Sequence, residues 1–320
     1  RQVMGHHAQT GRAAGASSAE YEDDRIRKHE FTRPDKEDDR TRHIDTLDAN
    51  DEPVFLTYFA RPAIDRLVAE ICAEEPACDF TSDDAIRHTL WVVSDPARVD
   101  AFRRHFAEVP RLYVADGHHR SAAATRVRSA RRARRGPAAG EEEHDYFLTV
   151  IFPHDQMKIL AYNRVVHDLN GMSEEAFLAR VRERFEVTPA AQAEPERPHS
   201  YGMFLSGRWH RLAPKAGTVP EDDPVNSLDA AVLQNNLLSP VLGIEDPRRD
   251  KRIDFVGGIR GTAELEKRVK SGKAAVAFAL HPVSIEQLIR VADAGQVMPP
   301  KSTWFEPKLR SGLFVRPFGD

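Results

Sequence analysis

From residue 53 onward, short apolar strands and amphipathic helical stripes take turns, which limits the chain to folds in which helices cover sheets. Pro53 to Phe59 alternates as a strand does, and Ile64, Leu67, Val68 and Ile71 follow at the spacing of one helix face. Thr89 to Val93 predicts a further strand. Val99, Phe102 and Phe106 mark a helix opened by Pro96, and Leu112 to Ala115 is a short strand. A helix of strong formers runs from Ala122 to Arg135 and stops at Gly136-Pro137. Tyr146 to Phe152 and Lys158 to Tyr162 are expected to pair as a hairpin across Pro153-His154-Asp155-Gln156. The rest repeats the alternation: a helix around Phe177, Val181 and Phe185, a hairpin through Ser206-Gly207, a helix near Leu228, a strand at Ile253 to Val256, a helix to Lys270 and a strand at Val276 to Leu280. Ser284 and Gln287 form a capping box for a last helix carrying Ile285, Leu288, Ile289 and Ala292. The expected fold class is α/β with mixed (α+β) sheets, divided near Asn170-Gly171 into a core over 53–170 and a second α/β half over 171–320.

Residues 1–52 read differently. Both charge signs crowd Tyr21 to Arg25 and Lys36 to Arg40, with no apolar face of useful width, which by composition alone means disorder. Lys28-His29-Glu30 and Thr32-Arg33-Pro34-Asp35-Lys36 nevertheless mix both charges with histidine, which suits a lid or substrate segment. Arg1 to Met4 reads as the end of a strand.

A chain of 320 residues, 41% of them hydrophobic, can bury the cores of one or two domains. Its net charge of -4 argues against wholesale coating of nucleic acid, so any phosphate binding is local. The longest apolar run, Ala274 to Leu280, is far short of the ~20 residues that span a bilayer. No membrane partner is expected. Cys72 and Cys78 lack a second pair at zinc spacing, so free thiols in a reducing cytoplasm are the simplest reading.

The chemistry concentrates at Asp116-Gly117-His118-His119-Arg120, where a strand gives way to a helix. Backbone N–H groups, the positive end of the helix dipole and three basic side chains meet there, an arrangement that traps anions. Gly117 permits a tight turn, Arg120 can grip phosphate oxygens in bidentate fashion, and His118 and His119 can donate hydrogen bonds or protons near neutral pH. Asp116 offers a carboxylate to a hydroxyl proton or to Mg²⁺ shared with a substrate phosphate. The plain alternative is a capped helix start with solvated histidines. Zinc fits less well, because consecutive helical residues diverge by about 100°.

This Asp-Gly-His-His-Arg segment resembles the phosphate-binding motif of the ParB/sulfiredoxin-like superfamily, above all that of the free serine kinases. Across its length the chain is identified as a member of domain-of-unknown-function family 1015, through Lys28-His29-Glu30, Thr32 to Glu37, Tyr162-Asn163-Arg164-Val165-Val166, Phe255-Val256-Gly257-Gly258 and Met298 to Thr303. The resemblance implies a ParB/sulfiredoxin-like core and an N-terminally truncated chain. It also implies a phosphotransferase that interconverts serine, or a similar small hydroxy amino acid, and its O-phospho form, with ADP or ATP and Mg²⁺. On that basis Asp116 is the catalytic or metal-binding carboxylate, and His118, His119 and Arg120 hold the moving phosphate. Glu30 is the candidate general base, with Asp35 and Glu37 as alternatives. A phosphoserine phosphatase and a non-catalytic nucleotide- or phosphate-binding regulator remain open, and a homodimer is compatible with either.

Other stretches carry weaker signals. Arg33 and Lys36 sit on a kinked loop that could close over a nucleotide, and Lys301, Ser302 and Thr303 follow a rigid Pro299-Pro300 turn, as in a phosphate-contacting loop. Gly257-Gly258-Ile259-Arg260-Gly261 lies between a strand and a helix, where phosphates often bind. Asn163 and Arg164 end a strand and could project into a cleft. Each also has a plain reading as a connector, a solvated charge run or a surface pair, and the glycine-rich turn alone is a weak signal. The six arginines between Arg126 and Arg135 read as a solvated helix face, since no aromatic residue interleaves for stacking on bases.

Overall fold

The computed structural model describes residues 9–135 and 140–319. The strand end expected at Arg1 to Met4 and the stop at Gly136-Pro137 lie outside the described residues. The chain divides into two compact units. One, the motif unit, comprises Thr10–Ile26, Asp39–Gln156 and Ser311–Asp320; the second comprises Arg1–Gln9, Arg27–Asp38 and Met157–Arg310.

In chain order the first elements are β1 (Arg12–Ser17), α1 (Ser18–Glu22), β2 (Ile26–Arg27), α2 (Pro34–Leu47), β3 (Ala49–Asn50), β4 (Val54–Tyr58), α3 (Pro62–Cys72), β5 (Cys78–Thr81) and β6 (Arg87–Leu90). They are followed by α4 (Pro96–Ala107), β7 (Leu112–Asp116), α5 (His118–Arg135) and β8 (Tyr146–Pro153). A five-stranded mixed sheet runs β1-β8-β4-β7-β2. In it β4 lies parallel to β8 and antiparallel to β7. Val54, Leu56 and Tyr58 of β4, Val114 of β7 and Ile64 of α3 form its core with Ala123, Ala124 and Val127 of α5. Small residues at 123 and 124 let α5 lie close to the sheet.

Two strand expectations change. The hairpin proposed between the strands at 146 and 158 does not form, because β8 pairs with β1 and β4 instead. Seven of its eight residues are buried, and a strand apolar on both faces needs a neighbour on each edge and cover on each side. The strand near Thr89 is found at Arg87–Leu90, in an exposed two-stranded ladder with β5 where Arg87 and Thr89 both donate to Asp79. The charged segment before residue 50 is ordered, and it supplies Ala16, Tyr21, Ile26 and Ile44 to the core.

Three arginines of α5 are paired with carboxylates. Arg128 pairs with Glu22 at 2.6 Å and Asp145 at 3.1 Å, Arg131 with Asp45 at 2.9 Å and with Asp48, and Arg132 with Asp145 at 2.6 Å. These contacts fasten the helix to α1, α2 and the turn at Asp145.

The second unit contains β9 (Lys158–Leu160), β10 (Tyr162–Val166), α6 (Glu174–Arg184), β11 (Phe185–Pro189), β12 (Tyr201–Leu205), β13 (Arg208–Pro214), α7 (Asp229–Leu233), β14 (Ile253–Gly257), α8 (Gly261–Lys270), β15 (Val276–Leu280), α9 (Ile285–Asp293) and β16 (Trp304–Glu306). Near the C-terminus β17 (Arg316–Pro317) pairs with β3 in the motif unit. The sheet of the second unit runs β11-β13-β12-β15-β10-β14, and its pairs are antiparallel. Both faces of its central strands β12, β15 and β10 are buried. Val166, Met203, Val276 and Phe278 point to one cluster, while Val165, Phe204, Ala277 and Ala279 point to another that contains Leu265 of α8. This explains why Ala274 to Leu280 reads as an unbroken apolar run. Ser284 and Gln287 form the expected capping box. Among the described residues no helix is long and apolar enough to cross a membrane.

Asp145 is the anchor with a clear energetic signature. The Arg132 guanidinium, helped by the Glu142 N–H, lowers its carboxyl from 3.8 to about 2. A depressed carboxylate contributes stability that is present above its ordinary value and lost as pH falls toward the folded-state value. Asp145→Asn should therefore cost about 2 kcal/mol at neutral pH. In urea titrations the deficit should shrink as pH drops through 4 toward 2.

Candidate functional site

β7 ends on Asp116 and α5 starts at His118, so a single residue, Gly117, turns the chain from strand to helix. Its φ of 103° lies where side chains are rarely accommodated, and a Cβ there would stand 2.9 Å from Arg120 Nε. Glycine thus serves the turn and leaves room for the guanidinium to fold back over it. Arg120 N–H and Ser121 N–H donate to Gly117 O at 2.9 and 3.0 Å, and Ser121 Oγ donates to His118 O at 3.1 Å. The first turn is fixed.

Helix starts ordinarily favour acidic residues, because the dipole is positive there. The first turn of α5 has none and carries His118, His119 and Arg120 instead. A positive side chain at this end is disfavoured by about 0.3–1 kcal/mol. An anion reverses the sign. Arg120 Nη2 lies 3.7 Å from Asp116 Oδ1, with side-chain exposures of 23% and 42%. His118 is buried and His119 half-buried. The lip of the turn therefore carries Asp116, Arg120 and His119, while His118 is buried.

Arg120 also lines a pocket of the motif unit with Arg40, His43, Asn50, Asp51 and Glu52. His43 Nε2 lies 3.2 Å from each carboxylate oxygen of Asp51, and Arg40 Nη1 lies 3.8 Å from Glu52. Asn50 Oδ1 accepts the Leu148 N–H at 3.2 Å. Sequence reasoning missed these residues. Their signal was faint: Arg40, His43 and Ile44 share a helix face at i, i+3 and i+4, hidden within a charge run.

The remaining candidates belong to the second unit. Glu30 is exposed in the loop before α2. Arg33 is engaged by Asp35 at 2.8 Å, which holds the Asp35 carboxyl below its ordinary range, and Thr32 Oγ1 donates to Glu37. Lys36 is exposed. Arg164 is buried, donates to Tyr162 O and to Pro300 O at 3.3 Å, and lies 5.1 Å from the Phe255 ring centre. Burial lowers its pKa to about 10. It therefore joins the 299–303 loop, where Lys301 takes a φ of 54°, Ser302 Oγ donates to Pro299 O at 2.6 Å and Thr303 is half-buried. Asn163 is likewise internal, accepting the Leu280 N–H at 3.1 Å.

Among the described residues no group of three His, Cys, Asp or Glu side chains could hold a metal ion. Asp116 alone suits a cation that arrives with phosphates, since Mg²⁺ sites often use one or two carboxylates plus substrate oxygens.

Fold and turn together define an α/β protein whose strand-to-helix junction carries Asp116, His118, His119 and Arg120. The chain belongs to the family described as protein of unknown function (DUF1015), whose model matches residues 1–231. No curated protein matches it. Among solved structures it is similar to a mutant free serine kinase in complex with AMP, at 13% identity and a TM-score of 0.44, over 94% of this chain and 91% of that one. It is also similar to C-terminally truncated SbnI from Staphylococcus aureus, at 12% identity and a TM-score of 0.48, over 95% of this chain and 87% of that one. A conserved hypothetical protein from Pyrococcus furiosus is similar at 12% identity and a TM-score of 0.42, with coverages of 95% and 94%.

Gly117→Ala should lower stability by about 1 kcal/mol through the forced backbone and the displaced Arg120. Thermal denaturation with and without inorganic phosphate should also show a smaller phosphate-induced rise in Tm for the variant.

Proposed function

We propose that this protein transfers a phosphoryl group between a nucleotide and the hydroxyl of a small amino acid, serine by preference. The observation that carries the reading is the inverted electrostatics of α5: basic residues at its positive end, with the Asp116 carboxylate beside them. Such an arrangement gains most when an anion is bound, and more when negative charge builds up during transfer. The likeness of the motif to free serine kinases supplies the substrate class.

Phosphoryl transfer asks little covalent chemistry of a protein and much positioning. The serine hydroxyl oxygen forms the new P–O bond as the bond to the nucleotide's bridging oxygen breaks. The hydroxyl proton passes to the Asp116 carboxylate, and the freed charge stays on the nucleotide. Arg120 and His119 neutralise the equatorial phosphate oxygens, and the positive end of the α5 dipole favours the same charge. His118, being buried, acts by fixing the turn. Mg²⁺ held by Asp116 would supply further charge neutralisation on the phosphates.

Arg120→Ala should lower kcat at least a hundredfold, the cost typical of losing one preorganised donor to a transition state, with little loss of stability. His119→Ala should fall in the same direction. A coupled assay of serine-dependent nucleotide turnover checks both. Release of inorganic phosphate from phosphoserine without nucleotide would favour a phosphatase instead, and binding without any turnover a regulator.

A further inference from the structure

At the ends of β10 and β14 in the second unit lies a cleft of about 390 Å³, bordered by Tyr162, Phe255, Gly257, Arg260, Arg268 and Trp304, with Asp254 at its edge. Its size falls within the roughly 300–1,000 Å³ of small-molecule sites. Its apolar wall is aromatic: Tyr162 and Trp304 meet edge to face with ring centres 5.5 Å apart. Trp304 lies directly on the backbone of Gly257, where a Cβ would come within 2.4 Å of the indole, and a Cβ at Gly258 would come within 2.7 Å of Ala161 O. The glycine pair is thus needed for close approach, because any side chain at 257 would push the indole out of place.

The rim is cationic. Arg260 is exposed and forms no salt bridge with a described residue. Glu264, the acid closest to it along α8, is taken by Arg268 at 2.9 Å. Arg268 also lies 3.7 Å from Asp254, which is shared with His167 at 3.1 Å. Lys301 Nζ stands 5.6 Å from the Tyr162 ring centre and has no carboxylate partner among the described residues. Flat aromatic walls attract any planar ligand, and unspent cations attract any anion. Together they select a ligand that is both.

The geometry points to a binding site for a nucleoside phosphate in this cleft, with the base against Tyr162 and Trp304 and the phosphates toward Arg260 and Lys301. A free anion would leave the aromatic wall unused, and a nucleoside would leave Arg260 and Lys301 unpaired. The site does not depend on phosphoryl transfer at Asp116, because binding alone reveals it.

Fluorine NMR of the full chain labelled with fluorotryptophan separates the two questions. The chain has three tryptophans, Trp91, Trp209 and Trp304, and Trp304→Phe assigns the relevant resonance. ADP should shift the Trp304 resonance saturably, while adenosine and inorganic phosphate should each need about tenfold more ligand. Arg260→Glu changes an exposed residue whose side chain caps nothing, so the variant should fold normally. It should raise the ADP midpoint at least about tenfold. A Trp304 resonance unmoved by ADP, an unchanged midpoint in Arg260→Glu, or equal potency of adenosine or phosphate would each overturn the assignment.

Discussion

The candidate site of the motif unit hangs on one backbone event: Gly117 takes a φ of 103° so that β7 can stop at Asp116 and α5 can begin at His118. That event sets Asp116 and Arg120 on either side of the turn and lets the guanidinium lie over a residue without a side chain. It also gathers basic residues where the helix dipole is already positive. A chain that gained only stability from its helix starts would place acids there, as most do. The penalty is tolerated because the rest of α5 is held twice over, by Ala123, Ala124 and Val127 in the core and by Arg128, Arg131 and Arg132 on carboxylates. The far part of the helix stabilises so that the near end can stay charged.

The second unit solves a different problem. The central strands of its antiparallel sheet, β12, β15 and β10, are buried on both faces and are mostly apolar, with Asn163 and Arg164 near the start of β10. There Asn163 closes the sheet by accepting the Leu280 N–H, and buried Arg164 holds Pro300 O. A guanidinium this deep, lowered to about 10 by burial, is kept by its carbonyl partners and the Phe255 face rather than by a carboxylate. It fastens the loop that carries Lys301 beside the aromatic cleft.

Much of this was legible in the sequence, and the failures have physical causes. The helix at Ile64, the strand at Leu112, the hairpin at Ser206-Gly207 and the Ser284 capping box were readable because each rests on local periodicity or local hydrogen bonds. The β8 pairing was misread because adjacent strands invite a hairpin, whereas the choice of partner was set by burial of both faces of Tyr146–Pro153. The first fifty residues hid their structure because Ala16, Tyr21, Ile26 and Ile44 are too sparse to form a stripe and become core only against α5 and β4. At the site, Asp116, Gly117 and Arg120 stood out because they are contiguous. Arg40, His43 and Asn50 line a pocket with Arg120 from a segment far earlier in the chain, which spacing alone does not reveal. The solitary Gly257-Gly258 turn was a weak signal until Trp304 was found lying on it.

The central claim is that the charged turn at Gly117 handles a phosphoryl group in transit. Phosphorus NMR of the protein with phosphoserine, Mg²⁺ and ADP, repeated with Asp116→Asn, tests it most directly. The account predicts phosphoserine signal moving into nucleotide phosphate in the wild type and standing still in the variant. Signal that transfers equally well in Asp116→Asn, or a phosphoserine signal unchanged in the wild type, would contradict it.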